Sequence, residues 1–197
     1  MSEKSFTLIE LVIVIGILAV LAVVVVLVLN PAEFLKQARD TTRMSDLQTI
    51  NKALGLYQAG GGSSLGQINT VYVSIPSSQS NCSDLGLPSL PSGWNYVCSN
   101  STNYRKVDGN GWIPVNFNTI SFGSPLNILP IDPINATSSG NYYTYITGSS
   151  WELNAILESK KTAFPETKTK PPKTAVIPLL SMKLALTFPY LLSKIRV

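Results

Sequence analysis

The stretch KSFTLIELVIVIGILAVLAVVVVLVLN, residues 4–30, decides the fold of this 197-residue chain. From Leu11 to Leu29 it contains only Leu, Val, Ile, Ala and a single Gly. An apolar run of 19 residues is long enough to cross a bilayer as a helix. A secretory signal peptide would have a shorter apolar run and then a small-residue cleavage site. The helix is therefore expected to stay attached to the chain that follows it.

Glu10 is the residue that a plain membrane anchor would not need. It directly precedes the apolar run and follows Phe6, Leu8 and Ile9. A charged side chain in the middle of a bilayer costs about 3 kcal/mol on insertion scales. Two explanations are open: Glu10 lies among the lipid headgroups, or it pairs with a positive group on a neighbouring subunit. An α-amino group created by cutting the chain before Phe6 would be such a group.

These residues resemble the prepilin signal of type IV pilins and type II secretion pseudopilins. The resemblance rests on Lys4-Ser5-Phe6-Thr7-Leu8-Ile9-Glu10-Leu11 joined to the apolar run. It implies that a prepilin peptidase cleaves between Ser5 and Phe6 and that the new amino group of Phe6 is N-methylated. It also implies that Glu10 guides assembly of the filament. The family nearly always has Gly before the cleavage site, whereas this chain has Ser5.

The resemblance also implies partners and a location. The mature chain would self-associate into a helical filament with the help of an inner-membrane assembly platform and a cytoplasmic ATPase. It would be a single-pass protein of the bacterial cytoplasmic membrane with an extracytoplasmic C-terminal domain, and would then enter the pilus or pseudopilus. Three bases soon after the run outnumber Lys4, which alone would favour the reverse orientation. Three acids interleave with those bases, so the motif outweighs that count.

The chain divides into five segments. These are a leader (1–5), a transmembrane and filament-core helix (6–30), the amphipathic half of the same helix (31–59), a small extracytoplasmic β-sheet domain (60–159) and a basic tail (160–197). Apolar residues from Phe34 to Tyr57 recur at steps of three and four, which predicts the amphipathic half. Charges on its other face are expected either to be solvated or to bridge packed subunits. The expected fold is α+β and pilin-like, a long N-terminal helix packed on a small antiparallel sheet.

Short strands are predicted from β-branched and aromatic content at 70–75, 94–98, 112–116, 142–147 and 151–158. The short turn Gly148-Ser149-Ser150 predicts a hairpin between the last two. Leu129-Pro130-Ile131-Asp132-Pro133 resembles an element that precedes the final hairpin of major pseudopilins. Those proteins usually carry calcium in a later loop rich in Asp and Gly, but this chain has neither after Glu158. No calcium site is placed, and no cofactor or metal ligand is predicted.

Cys82 and Cys98 lie 16 positions apart in a segment that the motif puts outside the cytoplasm. Oxidation is permitted there, and closing such a loop contributes roughly 3 kcal/mol in the chain-entropy model. A disulfide is expected, and the alternative is two free thiols in a loop.

The charge of the chain is divided unevenly. Residues 1–159 hold seven basic and ten acidic side chains, a net charge of −3, whereas residues 160–197 hold eight basic and one acidic, a net charge of +7. Two explanations of this tail are open. It lies on an anionic membrane surface, or it is not native family sequence, such as translation in a shifted reading frame. We expect the tail to lie outside the fold.

Three classes of function are weighed. The chain has no His, which excludes His-based acid–base catalysis, and no phosphate-binding loop, so no catalytic residue is predicted and an enzyme is not expected. The favoured class is a structural subunit of a type IV pilus or type II secretion pseudopilus. The alternative is a minor pilin or adhesin-type subunit whose loops 74–93 and 99–111 contact DNA, surfaces or secreted substrate. Arg105-Lys106 is the one basic pair of the β-sheet domain, so nucleic acid is not an expected partner.

Overall fold

Two consecutive helices precede a five-stranded sheet, which confirms the expected α+β, pilin-like fold class. A computed structural model describes residues 6–148, 150–159 and 174–178. The first helix, α1, spans Leu8–Leu29, and the second, α2, spans Pro31–Ala59. The strands are β1 Thr70–Val73, β2 Asn95–Cys98, β3 Thr144–Thr147, β4 Trp151–Ile156 and β5 Thr174–Pro178.

The N-terminal helix is broken at Asn30, where the sequence pattern predicts one continuous helix. Asn30 has a left-handed backbone (φ 41°) and ends α1, while its side-chain oxygen accepts a hydrogen bond from the N–H of Glu33 (3.4 Å) and so begins α2. Pro31 explains the break, because proline donates no hydrogen bond to the preceding turn and disfavours helical geometry in the residue before it. Asn is one of the few residues besides Gly that tolerate the left-handed region.

The sheet has the strand order β2-β1-β3-β4-β5 and is mixed. β1–β3, β3–β4 and β4–β5 are antiparallel pairs, but β1 and β2 are parallel, so the expected all-antiparallel sheet is wrong at this pair. The long connection 74–94 explains the difference, since parallel strands need such a crossover whereas a tight turn returns the chain antiparallel. The predicted β3–β4 hairpin is confirmed, with Tyr145 opposite Leu153.

The predicted strand at 112–116 does not form, whereas the other four lie within their predicted bounds. Its backbone bonds to a neighbouring loop instead of the sheet: Trp112 N–H donates to Tyr104 O and Phe117 N–H donates to Val107 O, both at 2.8 Å. Pro114 lacks an N–H, which disfavours a place within a sheet. The aromatic and aliphatic residues that suggested a strand are buried in an irregular segment.

Five residues of the basic tail pair with the sheet. β5 runs antiparallel to β4 with Thr174 opposite Ile156 and Pro178 opposite Glu152. The expectation that the tail lies outside the fold is thus qualified at these residues. For the rest of 160–197, which lies outside the described residues, it stays a prediction.

Apolar side chains are buried on both faces of the sheet. Leu47, Ile50 and Leu54 of α2 are fully buried in one cluster with the sheet residues Tyr143, Tyr145, Trp151 and Leu153. A second cluster, on the other face, joins Val71, Val73 and Ile146 to both cysteines. The helix and the disulfide-bearing connection therefore cover opposite sides of the sheet.

The disulfide between Cys82 and Cys98 is formed, as predicted, with a Cα–Cα distance of 5.5 Å. It ties the connection 74–94 to the last residue of β2. Reduction is expected to lower the free energy of unfolding by roughly 3 kcal/mol, because it frees the enclosed loop in the unfolded chain. Urea unfolding of the full chain in detergent, with and without dithiothreitol, measures this loss. A Cys82→Ser/Cys98→Ser variant is the control, and reductant should leave its midpoint unchanged.

Glu152 has one carboxylate oxygen that the fold buries. Its Oε1 is buried and has no hydrogen-bond partner in the described part of the chain. Burial raises the pKa of Glu152, against a smaller opposite effect of the Asn154 side chain. Since the folded pKa is raised, the favourable contribution of this group is present at low pH and is lost as the pH rises through that value.

Replacing Glu152 by Gln is expected to stabilise the fold at pH 7 by about 1 kcal/mol, because an amide has no charge to desolvate. The gain should shrink toward pH 4, where the wild-type carboxyl group binds its proton. Urea midpoints at the two pH values measure both effects. Equal stability of E152Q and wild type at pH 7 would contradict the assignment of a buried, costly charge.

Candidate assembly site at the start of the N-terminal helix

Thr7 and Glu10 close the first turn of α1 through reciprocal hydrogen bonds. The Thr7 hydroxyl accepts from the Glu10 N–H (3.3 Å), and Glu10 Oε2 accepts from both the Thr7 N–H (2.9 Å) and the Thr7 hydroxyl (2.7 Å). This is a capping box, which satisfies backbone donors that a helix start leaves free. The Glu10 carboxylate is thereby held at the helix start, against Thr7.

Phe6 and Glu10, the residues predicted for methylation and assembly, both lie at the start of α1. Phe6 has 82% of its surface exposed, immediately before Thr7, whose backbone is extended. Glu10 is also exposed. Ser5, the residue before the expected cleavage site, lies outside the described residues. Sequence reasoning missed the role of Thr7, although a Thr followed three residues later by Glu is the sequence signature of a capping box.

The surface of α1 from Leu8 to Val25 is uncovered and, apart from Glu10, apolar. One window, Leu8–Val25, has the length and hydropathy of a membrane span, and none of it is buried by the rest of the protein. The 22 residues of α1 extend for about 33 Å, close to the roughly 30 Å of a hydrocarbon core. Large apolar surfaces of this kind mark contact with lipid or with other protein.

Arg43 is the centre of a buried ion-pair cluster that fastens α2 to the sheet domain. Its guanidinium donates to both carboxylate oxygens of Asp132 (2.6 and 3.0 Å), to Asp40 (2.8 Å) and to Glu158 (2.9 Å). Arg43, Asp40 and Asp132 have fully buried side chains. Arg39, which is half-buried, also donates to Glu158 (2.6 Å). Two guanidiniums thus face three carboxylates drawn from α2, the loop before β3 and the segment that follows β4.

Backbone groups hold the same carboxylates. Asp40 accepts from the N–H of Glu158 (2.9 Å) and of Ser159 (2.8 Å), and Asp132 accepts from the N–H of Ile134 (2.8 Å). The Leu-Pro-x-Asp-Pro element, whose role the sequence left unexplained, therefore positions Asp132 as the bidentate partner of Arg43. Bidentate pairs between Arg and carboxylate are the strongest and most specific of such contacts.

The surroundings of Arg43, Asp40 and Glu158 favour the charged form of each of these groups. Burial works to lower the pKa of Arg43, but hydrogen bonds to Asp132 and Glu158 outweigh it and raise the pKa above its usual value. Burial works to raise the pKa of Asp40, but the hydrogen bonds from the two backbone N–H groups hold that pKa below its usual value. The Arg39 guanidinium likewise lowers the pKa of Glu158. Both expectations for the α2 charges, solvation or bridging between subunits, are wrong for Asp40 and Arg43, which pair within the chain.

Phe34 and Leu35 differ from the predicted apolar stripe of α2. The pattern assigns them to the face that docks on the sheet, yet they are 69% and 58% exposed. The buried residues of α2 begin at Asp40, so the first turns of α2 stand clear of the sheet domain.

No group of three or more His, Cys, Asp or Glu side chains suited to a metal ion occurs among the described residues.

Comparison with known proteins identifies the N-terminal signal. Residues 1–26 match a protein-family model described as the prokaryotic N-terminal methylation motif. No curated protein and no solved structure matches the chain. The matched residues include Phe6, Glu10 and most of the apolar run, so the chain carries the type IV pilin and pseudopilin signal.

Proposed function

We propose that this chain, which carries the pilin-type methylation motif, is a structural subunit of a type IV pilus or a type II secretion pseudopilus. The observation that supports this most directly is the uncovered apolar surface of α1 from Leu8 to Val25, which lies within that motif. A helix of this kind needs lipid before assembly and neighbouring helices afterwards. The motif indicates a structural subunit rather than an enzyme.

Maturation begins with cleavage between Ser5 and Phe6 by a prepilin peptidase, followed by N-methylation of Phe6. The exposure of Phe6 and the extended backbone of Thr7 support this step, since a protease needs an accessible, non-helical chain. Ser5 takes the place of the usual Gly as a small residue before the cleavage site.

Assembly then uses Glu10. The carboxylate pairs with the positive Phe6 amino group of a neighbour. It either gives up its hydrogen bonds from Thr7 or keeps them and accepts the amino group as a further donor. In the apolar core of a filament each charge relieves the burial cost of the other, and the pair fixes the axial register of the subunits. An inner-membrane platform and a cytoplasmic ATPase supply the machinery and the energy for extraction from the membrane.

The proposed location is the cytoplasmic membrane, crossed once by α1, with the sheet domain outside the cytoplasm. The Cys82–Cys98 disulfide supports this orientation, because structural disulfides form and persist in oxidising compartments.

The N-terminal residue and intact mass of the protein isolated from membranes test this proposal. We expect a chain that begins at N-methylated Phe6, and the same mass states how much of 160–197 the mature protein carries. A Ser5→Gly variant is the matched control for the efficiency of cleavage. A wild-type chain that still begins at Met1 or Ser2, in cells whose peptidase processes other prepilins, would refute the filament function.

A further inference from the structure

A polar cleft of about 350 Å³ opens where the two exposed loops of the sheet domain meet. The loops 74–93 and 99–111 are joined beside β2: Ser77 N–H donates to Ser99 O (3.0 Å), and Cys98 N–H donates to Ser80 O (2.9 Å). The volume lies at the lower end of the range for small-molecule sites, about 300–1,000 Å³. The fold therefore brings the loops on either side of β2 together into one concave surface.

Hydroxyl and amide groups make up about half of the residues that line the cleft. The lining includes four Ser, three Asn and two Gly residues, and none of the described residues in it is charged. The half-buried Val97 and Pro114 contribute apolar surface, whereas Trp112 is only 1% exposed and its indole N–H donates to Pro130 O (3.0 Å). The lining lacks the Lys and Arg side chains on which the binding of a phosphate backbone depends.

The walls of the cleft are held in place by other parts of the fold. Asp84 accepts hydrogen bonds from the hydroxyl groups of Ser77 and Ser78, and Ser99 Oγ donates to Asn110 O (2.6 Å). At Gly111 a Cβ atom would lie 2.1 Å from Lys106 O, so only glycine allows this close approach. A preorganised site loses less entropy when it binds a ligand.

Two polar side chains of the lining are available to a ligand. Within the described residues, the Ser80 hydroxyl and the Asn103 amide make no hydrogen bond, although Ser80 is exposed and Asn103 half-buried at the cleft. Together they offer three N–H or O–H donors and two acceptor oxygens. Neutral groups that both donate and accept hydrogen bonds suit the hydroxyl groups of a sugar.

From this uncharged, hydroxyl- and amide-lined cleft we propose a binding site for a neutral saccharide. Ser80 and Asn103 bond the sugar hydroxyls, and the half-buried Pro114 contacts the apolar face of a pyranose ring. The site lies wholly within residues 72–114 and does not involve α1, so it goes beyond the filament function and stands or falls independently of it.

The full mature chain in phosphocholine micelles, free of sugar detergents, tests the site. Saturation-transfer NMR with maltotriose, cellotriose and triacetylchitotriose is expected to detect at least one bound trisaccharide. Asn103→Ala should weaken binding roughly fivefold, since it removes one or two neutral hydrogen bonds. Ser80→Tyr, which fills the cleft from an exposed loop position, should weaken it more than tenfold. Retention on powdered cellulose and chitin shows whether the site takes surface-displayed chains as well as free saccharides.

Ser89→Tyr is the matched control, because Ser89 lines a separate cleft of about 410 Å³ beside the disulfide. It should bind trisaccharide as wild type does. The proposal is overturned if none of the three trisaccharides binds, or if S80Y and S89Y bind equally well. The mass and N-terminus of the same preparations report maturation separately, so failure of the cleft and failure of the filament function give different results.

Discussion

Replacing Glu10 by Ala is expected to abolish filaments while leaving the protein in the membrane. Insertion should be undisturbed, because the substitution removes a charge from the edge of an apolar helix. Assembly should fail because each neighbour then buries the Phe6 amino group without a partner. A cost of about 3 kcal/mol per unpaired charge corresponds to roughly a hundredfold weaker association at each subunit interface.

Sedimented filaments and carbonate-resistant membrane protein, both quantified by immunoblot, measure the two effects. Thr7→Ala is the matched control, since it breaks the same capping box but keeps the carboxylate. Loss of a cap costs only about 1 kcal/mol of helix stability. The intact mass of each variant separates failed cleavage from failed assembly. Normal filaments in E10A would refute the register role, and an equal defect in T7A would assign it to the helix cap instead.

The first helix could be predicted from the sequence because composition alone determines it. A run of 19 apolar residues has few alternatives to a helix in a membrane or a protein core. The break at Asn30 was harder to predict, since Pro is tolerated both within a kinked helix and at a helix start. A left-handed Asn30 and its bond to Glu33 select the second possibility.

Strand positions could be predicted better than strand directions. The alternation of Trp151, Leu153 and Ala155 with polar residues places β4 correctly, and its buried face packs with α2. The parallel pairing of β1 with β2 depends instead on the path of 74–94, on which local propensity carries no information. Residues 112–117 show that composition alone can also predict a strand where none forms. Their aromatic and aliphatic side chains fill a buried irregular segment instead.

The burial of the charged residues Asp40 and Arg43 of α2 could not be predicted from the sequence pattern. Asp40 and Arg43 are spaced three apart on a helix, as in many solvated surface pairs. Their burial depends on Asp132, which lies 89 positions from Arg43 in the sequence. Only the three-dimensional structure brings a third charge to this pair.

Replacing Arg43 by Ala is expected to cost about 3–5 kcal/mol of folding free energy, a large share of the stability of a small domain. The substitution removes the positive partner that Asp40, Asp132 and Glu158 share and leaves Asp40 and Asp132 fully buried as uncompensated charges. Because those carboxylates join α2 to the loop before β3 and to the segment that follows β4, the helix should separate from the sheet. Filaments should be lost through misfolding and degradation rather than through faulty register.

Urea unfolding of the full chain in detergent, followed by the fluorescence of the buried Trp112 and Trp151, measures this loss. Arg43→Lys keeps the charge but cannot make the bidentate bond to Asp132, so its stability should fall between wild type and R43A. Arg39→Ala is the matched control from the same helix. Its partly exposed guanidinium hydrogen-bonds only Glu158 within the cluster, and its loss should lower the urea midpoint far less than the loss of Arg43 does. If R43A and R39A lowered the midpoint equally, the cluster would be a surface network, and the attachment of α2 would rest on its apolar contacts alone.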